Sequence, residues 1–338
     1  MRYSVIVPVY NRPEEAEELL ESLAAQTFRD FEVLIVEDGS DRPCREVVET
    51  FRDRLDVHYF MKPNSGPGPS RNYGAERASG EWLVILDSDV IVPPGYFEAV
   101  EKELAARPCL AFGGPDRAHD SFTPVQKAIS YAMTSFFTTG GIRGGGRRLD
   151  RFYPRSFNMG VDRETFAALG GFSRMRFGED IDFSLRIVRA GFPCRLFPEA
   201  WVWHKRRTDL KKFFKQVHNS GIARINLYKK YPDSLKPVHV LPALFTAGMA
   251  LCLLLFLSGL IAGAVLPAGA GLLPPLLFAA VILTDASVRT RSLRVGLLAV
   301  PAAFVQLLGY GSGFLRAWWE RCVLGRGEIE AFRRNFYE

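Results

Sequence analysis

The first hundred residues alternate between short apolar runs and segments whose apolar residues recur at helical spacing. The runs YSVIVPV, FEVLIV and WLVILD predict buried strands, because they are rich in branched apolar residues. The segment PEEAEELLESLAAQ predicts a helix with Pro13 in its first turn, and further helices are predicted over 42–54, 69–78 and 95–106. This rhythm predicts an α/β fold with a mostly parallel sheet, helices on both faces, and ligands at the carboxyl ends of its strands.

The last third of the chain has a different pattern, in which apolar residues continue almost without interruption. No Lys, Arg, Asp or Glu occurs between Lys236 and Asp285, and this stretch is too long for one membrane span of about 20 residues. We expect two spans, over 240–266 and 272–288, joined by a hairpin at PAGAG (267–271). A buried helical subdomain is the alternative interpretation.

A third apolar stretch, 295–315, contains Pro301 and several glycines. The sequence leaves open whether this stretch crosses the membrane, re-enters it or lies flat on it. The basic loop RTRSLR (289–294) follows the second predicted span, and basic loops favour the cytoplasmic side. The amino terminus does not have the pattern of a signal peptide. We therefore expect a multi-pass protein of the cell (inner) membrane with a cytoplasmic amino-terminal unit.

Polar residues follow three of the predicted strands, at Tyr10-Asn11, at 37–40 (EDGS) and at Asp87-Ser88-Asp89. Asp87 and Asp89 interrupt a hydrophobic stretch, and two neighbouring carboxylates are costly to bury unless they share a cation. Side chains two residues apart in extended chain point the same way. A hard divalent cation that also binds phosphate oxygens would make this pair favourable, although many turns contain such a pair.

Two further segments carry candidate chemistry. In NSGPGPSRNYGAERASG (64–80), Arg71 opens a predicted helix, and a helix start with a fixed guanidinium suits a diphosphate; a flexible turn with a surface arginine is the alternative. Glu179 and Asp180 begin another predicted helix, which runs to residue 190. Asp182 and Arg186 are predicted to form an ion pair on the surface, one helical turn apart.

The composition excludes some classes of protein but does not indicate a particular function. A chain of 338 residues with 48% hydrophobic content can form a sizeable core and more than one structural unit. Its formal net charge of +6 is modest. The five cysteines form no CxxC pair, which argues against a disulfide framework or a thiolate zinc site and fits a reducing compartment.

Five motifs occur in the order that is typical of family-2 glycosyltransferases with the GT-A fold: VIVPVYNRPEE, VEDGS, GPSRN, DSD and GGFSRMRFGEDIDFSLR. The resemblance covers roughly residues 1–205. It implies inverting transfer of a sugar from a nucleoside-diphosphate donor, with Mg²⁺ or Mn²⁺ as cofactor. The ordered set is far more specific than any one of its motifs.

The resemblance also implies roles for single residues on the donor side. Pro8, Tyr10 and Asp38 match positions around the nucleotide base, and Glu37 replaces the aspartate more usual beside them. Arg71 matches the arginine on the pyrophosphate side.

Implied roles at the reacting end come from the later motifs. Asp87 resembles the contact to the ribose or sugar, and Asp89 resembles the metal ligand. His204, in VWH, resembles the late histidine that often completes the metal site. Asp180, beside Glu179 in GED, matches the catalytic base.

The predicted organisation has five parts: a nucleotide-sugar-binding half (1–115), an acceptor-binding half (116–205), an interfacial amphipathic helix (206–236), a transmembrane region of two or three spans (237–316) and a basic tail (317–338). The expected partners are the nucleoside-diphosphate sugar, a glycan or lipid-linked acceptor, and membrane lipid, with no nucleic acid. The glycine-rich segment GGIRGGGRRLDR (140–151) is predicted to be a mobile lid for a phosphorylated acceptor or a solvated linker.

Processive members of the family carry a QxxRW motif, whereas this chain has only QVHNSGIAR. We therefore expect the addition of single sugars. Two alternatives remain: a polyprenyl-phosphate sugar synthase, which the late GED motif disfavours, and a catalytically silent membrane scaffold that binds nucleotide.

Overall fold

The computed structural model describes residues 1–117, 119, 122–140, 152–175, 177–205 and 207–328. The chain divides into two compact units. The described residues of the first unit are 1–117, 119, 152–175 and 177–205, and those of the second unit are 122–140 and 207–328.

The elements are numbered in chain order. The strands are β1 Tyr3–Val9, β2 Phe31–Asp38, β3 Val57–Lys62, β4 Trp82–Leu86, β5 Val90–Ile91, β6 Ala111–Gly113, β7 Asp116–Arg117, β8 Asn158–Asp162, β9 Cys194–Leu196 and β10 Val202–His204. The helices are α1 Pro13–Ala24, α2 Arg45–Glu49, α3 Pro67–Ala75, α4 Tyr96–Ala106, α5 Pro124–Thr134, α6 Phe136–Thr139, α7 Arg163–Ala168, α8 Glu179–Arg189, α9 Leu210–Lys230, α10 Pro237–Ile261, α11 Val265–Thr290 and α12 Leu293–Trp318. A 3₁₀ turn (Pro232–Ser234) and a π-helical turn (Trp319–Val323) complete the described elements.

The first unit is built on a seven-stranded sheet in the order β3-β2-β1-β4-β8-β6-β9. Strands β1 to β4 are parallel, whereas β8 is antiparallel to both of its neighbours. Successive side chains of β1 enter different cores: Val5 and Val7 pack with α1 and α4, and Ile6 packs with α7 and α8. The strands are apolar on both faces because helices cover both faces. The predicted α/β fold with a mostly parallel sheet is confirmed.

A second, three-stranded sheet positions part of the candidate site. Its order is β5-β10-β7, and in it His204 of β10 lies opposite Val90 of β5. The amide of Lys205 also donates to the carbonyl of Asp89, at 2.9 Å. These contacts hold His204 beside the turn that follows β4, although the two are far apart in the sequence.

The second unit is helical, and three of its helices are long and apolar enough to cross a membrane: α10, α11 and α12 with its π turn. The predicted hairpin at 267–271 is wrong. Pro267 lies in the first turn of α11, where proline leaves no helical hydrogen bond unmade. The chain turns instead at Gly263, whose φ of +64° favours glycine.

Helix α9 packs closely along α12 within this second unit. A Cβ atom on Gly313 would lie 2.0 Å from the carbonyl oxygen of His218, and one on Gly221 would lie 2.1 Å from that of Tyr310. Only glycine permits such an approach of two helix backbones. The apolar face of α9 is consequently buried: Phe213, for example, is fully buried.

We expect Gly313→Leu to destabilise the second unit, because the new side chain collides with helix backbone that cannot rotate away. The cost should be about 3 kcal/mol and should appear as a lower midpoint of thermal unfolding of the full chain in detergent. Gly248→Leu on α10 is the matched control, because nothing lies within 4 Å of a Cβ atom there. Equal midpoints for the two variants would contradict the close packing of α9 on α12.

Candidate active site

The candidate site lies at the carboxyl ends of the parallel strands of the first unit. Pro8 is half-buried in β1, and Tyr10 is half-buried just after it. The next residue, Asn11, has a φ of +54°; its amide donates to Ser40 Oγ at 2.7 Å, and its side chain accepts from the Arg42 amide at 3.0 Å. The loops after β1 and β2 are therefore tied to each other beside the predicted base pocket.

Both acidic residues at the end of β2 are buried and bonded to the protein itself. Glu37 accepts hydrogen bonds from the Cys44 amide at 2.8 Å and from the Ser40 hydroxyl. Asp38 accepts from the Gly66 amide at 2.8 Å and from Lys62. Glu37 thus fixes the loop after β2, and Asp38 fixes the loop before α3. Their predicted contacts to a nucleotide base stay predictions.

Arg71 is the centre of the site. It lies on α3, is almost completely buried, and donates to Glu179 Oε1 at 2.8 Å and to Asp87 Oδ1 at 2.7 Å. Its guanidinium also lies 5.3 Å from the centre of the Phe172 ring. A buried guanidinium needs such partners, since an unpaired buried charge is very costly. Arg71 therefore links the turn after β4 to the start of α8.

Asp89 lies on the other side of this turn and is close to two basic side chains, Arg12 and His204. Its Oδ2 accepts from Arg12 at 3.0 Å, and its Oδ1 lies 3.2 Å from His204 Nε2. The His204 ring stacks on Phe157 at 4.9 Å. Its Nδ1 is buried and has no hydrogen-bond partner among the described residues.

The donor set of Asp87, Asp89 and His204 fits a divalent cation. Ligand atoms of the three side chains all lie within 4.8 Å of one another. Two carboxylates and an imidazole are ligands that first-row divalent metals accept. The predicted metal ligands Asp89 and His204 are thus brought together, and Asp87 joins them.

Glu179 and Asp180 are both buried at the start of α8, where Gly178 caps the helix with a φ of +82°. Asp180 Oδ2 accepts a hydrogen bond from Arg155 Nε at 2.5 Å, and its Oδ1 accepts from the Ile181 amide at 2.8 Å. The two neighbouring acids therefore have different partners: Arg71 for Glu179 and Arg155 for Asp180.

These surroundings move the two pKa values apart. Burial raises the pKa of Glu179 to about 7; the negative charge of Asp180 acts in the same direction, and Arg71 opposes it. Burial would also raise the pKa of Asp180, but the charge and hydrogen bond of Arg155 bring it below its ordinary value. Asp180 is consequently the carboxylate that stays ionised, as a general base must.

Sequence reasoning missed Arg12 and Arg155. Arg12 directly follows the polar pair after β1, and its position just past a strand end was the available signal. Arg155 had no local signal, because its partner Asp180 is 25 residues away. The predicted lid at 140–151 lies outside the described residues, apart from Gly140.

The predicted surface pair of Asp182 and Arg186 is wrong in its location. Asp182 is fully buried and accepts a hydrogen bond from Arg186 Nε at 3.0 Å. Arg186 also donates to the carbonyls of Leu169 and Gly171, at 2.6 Å each. The pair fixes α8 against the loop after α7, so it supports the site from behind.

Residues 4–169 match the family model described as "Glycosyl transferase family 2". This part of the chain belongs to that family, and the prediction of a family-2 glycosyltransferase is confirmed. An uncharacterized glycosyltransferase from Rickettsia felis is 42% identical over 88 residues, which are 26% of this chain and 15% of the relative. A validoxylamine A glucosyltransferase from Streptomyces hygroscopicus subsp. jinggangensis is 27% identical over 282 residues, 72% of this chain and 63% of that protein.

Among solved structures, the mannosyltransferase PcManGT from Pyrobaculum calidifontis, in complex with GDP-Man and Mn²⁺, has a TM-score of 0.58 at 20% identity. The match covers 95% of this chain and 88% of that protein. This likeness shows the fold and confirms the predicted GT-A architecture. The chain spans less than two thirds of the length of both curated relatives named above.

We expect Arg155→Gln to move the acid limb of the pH profile of kcat/KM for sugar transfer to higher pH. Arg155 keeps the pKa of Asp180 low, so its removal raises that pKa, and Asp180, the predicted base, loses its charge at a higher pH. Arg195→Gln, at an exposed arginine, is the control. An acid limb that stays in place in Arg155→Gln would show that Asp180 is not the titrating base.

Proposed function

We propose that this protein transfers single sugars from a nucleoside-diphosphate donor to an acceptor, with inversion at the anomeric carbon and with a divalent metal ion. The observation that carries the proposal is the bridge made by Arg71, which contacts Asp87 beside the metal ligands and Glu179 beside the base. Groups for the leaving diphosphate and for the attacking hydroxyl thus belong to one connected cluster.

The diphosphate side consists of Arg71, Asp87, Asp89 and His204. When bound by the last three residues, a divalent ion would neutralise the negative charge that grows on the leaving diphosphate. The imidazole of His204 favours Mn²⁺ over Mg²⁺, because Mg²⁺ prefers oxygen ligands. The fold relative PcManGT was solved with GDP-Man and Mn²⁺, which supports this class of donor and cation.

The acceptor side consists of Asp180 with Arg155. Ionised Asp180 takes the proton of the acceptor hydroxyl while that oxygen attacks the anomeric carbon and the bond to the diphosphate oxygen breaks. The products are the new glycoside, the nucleoside diphosphate and protonated Asp180. Direct displacement of this kind inverts the anomeric centre. Glu179 accepts a hydrogen bond from Arg71 at 2.8 Å, and we assign it to holding that arginine.

We further propose that the acceptor is a glycan or a lipid-linked molecule at the cytoplasmic face of the membrane. Helices α10 and α11 leave large apolar side chains exposed along their lengths; Leu254 is 64% exposed and Leu276 is 56% exposed. Such surfaces require lipid around them. The basic loop that follows α11 supports the cytoplasmic orientation, because basic loops favour that side of the membrane.

Replacing the base should abolish turnover without abolishing donor binding. We expect Asp180→Asn to lower kcat by at least about 10²-fold, since the amide cannot accept the proton, while the donor Kd changes little. Asp53→Asn, at an exposed acid of the same unit, is the control. Transfer by the full chain in detergent with lipid extract, assayed over UDP- and GDP-hexoses, measures kcat, and titration calorimetry with the donor measures Kd. Normal kcat in Asp180→Asn would remove Asp180 from the mechanism.

Removal of the metal ligands should weaken donor binding only when metal is present. We expect Asp89→Asn and His204→Gln to lose most of the gain in donor affinity that Mn²⁺ gives the parent protein, measured by titration calorimetry with and without EDTA. The matched control is His58→Gln, because His58 forms a second cluster with Glu32 and Asp56 that lies apart from the site. If the affinity gain from Mn²⁺ is unchanged in His204→Gln but lost in His58→Gln, the metal ion binds at the second cluster instead.

A further inference from the structure

Helices α10 and α11 form a hairpin whose two arms pack against each other from its tip to Phe245 and Phe278. A Cβ atom on Gly259 would lie 2.3 Å from the Ala268 amide nitrogen, and one on Gly271 would lie 2.4 Å from the Cys252 carbonyl oxygen. Near the other end, the rings of Phe245 and Phe278 lie 5.0 Å apart. The tip of this hairpin is the turn at Gly263, and its open end holds the beginning of α10 and the end of α11.

Helix α12 follows this hairpin for only a short distance. Its first half packs against the later part of α11, with Gly296 against Ser287 and the Phe304 ring 5.2 Å from that of Phe278. If α12 ran along α11 toward the tip, the seven residues after Phe304 would advance about 10 Å in that direction. Instead a Cβ atom on Gly311 would lie 2.2 Å from the Pro242 carbonyl oxygen. Because Pro242 is in the second turn of α10, α12 crosses the hairpin at its open end.

The second half of α12 runs beside α9 rather than deeper along the hairpin. Gly313 meets His218, and further on the Arg321 side chain donates to Asn226. The two helices therefore run parallel, because a later residue of α12 contacts a later residue of α9. Exposed lysines occur near both ends of α9: Lys211, Lys212, Lys215, Lys229 and Lys230.

Helix α9 is excluded from the hydrocarbon core because its polar residues are not confined to its ends: His218, Asn219, Arg224 and Asn226 lie in the middle of the helix, where polar and charged groups would be expensive in lipid. The beginning of α12 is also at a polar level. Just before it, Asp285 of α11 pairs with Arg289 at 2.9 Å and accepts from Tyr131 of α5 at 2.6 Å. Charged groups thus lie near both ends of α12: Asp285 and Arg289 near its beginning, and the lysines at the end of α9 near its second half.

We propose that α12 lies in the plane of the membrane surface and does not cross it, so that the chain crosses twice, with α10 and α11. The most apolar stretches of α10 and α11 are only 6% and 11% buried in protein, as expected for helices in lipid, whereas that of α12 is 44% buried. The side of α12 that is not covered by protein contacts the headgroup layer of the bilayer. Trp318 and Trp319, which are 45% and 54% exposed, are the side chains that prefer this layer.

This arrangement has a topological consequence that does not depend on the catalytic proposal. The hairpin tip and the chain after α12 lie on opposite sides of the membrane. If α12 crossed, the tip and the end of α12 would lie on the same side. One comparison between two positions in the full-length chain therefore decides between the two topologies.

The test places single cysteines at Ala262→Cys and Gly327→Cys in a full-length variant whose five native cysteines are replaced by serine. Both positions are exposed, and nothing lies within 4 Å of a Cβ atom at Gly327. A membrane-impermeant maleimide is applied to intact cells and to permeabilised cells. We expect only one of the two positions to be labelled in intact cells and both after permeabilisation. Labelling of both, or of neither, in intact cells would overturn the proposal.

A second measurement covers the case in which the serine variant does not reach the membrane. The otherwise unchanged chain carries a fluorescent protein at its amino terminus and, in separate fusions, a fluorescent protein or alkaline phosphatase at its carboxyl terminus. We expect fluorescence from both ends and no phosphatase activity in the membrane fraction. A dark carboxyl-terminal fusion with active phosphatase would mean that α12 crosses.

Discussion

The pairing of the buried Arg71 guanidinium with two carboxylates is the interaction on which the site depends. The partners are distant in sequence, Asp87 by 16 residues and Glu179 by 108. Because a buried guanidinium without partners is so unfavourable, α3, the turn after β4 and the start of α8 are constrained to meet at one point. This meeting brings the predicted metal ligands close to the predicted base. The interruption of an apolar stretch by two aspartates is thereby explained.

Four carboxylates, three guanidiniums and one imidazole share this small volume, and each acid has a basic partner. Asp89 is the acid whose partners can change most easily, because Arg12 also pairs with Glu15 at 2.9 Å. A divalent ion that takes over Asp89 would therefore leave Arg12 paired rather than stranded. Asp180 differs: the charge and hydrogen bond of Arg155 are the main causes of its lowered pKa. The same electrostatic cluster would thus release one carboxylate to the proposed metal ion and keep another, the proposed base, ionised.

Sequence patterns predicted what depends on neighbours along the chain. The apolar run at 82–86 became β4, and the acidic start of α8 was placed at Glu179, because strand and helix signals are local. Arg155 could not be found in this way, since only the folded chain brings it to Asp180. Asp182 was placed on the surface because spacing along a helix shows which residues pair, but not what covers the pair. Pro267 looked like a turn residue, although the first turn of a helix accommodates proline equally well.

The path of α12 relative to the membrane could not be predicted from the sequence for the same reason. A helix that crosses a membrane and one that lies on its surface between packed helices both need many apolar residues, so hydropathy alone does not separate them. What separates them is the neighbour on each face. The glycines of α12 carry that information: Gly313 faces the backbone of α9, whereas Gly311 faces the second turn of α10. A lipid-facing helix needs no such close approach on two sides, and a helix held this way at the open end of the hairpin cannot also extend to its tip.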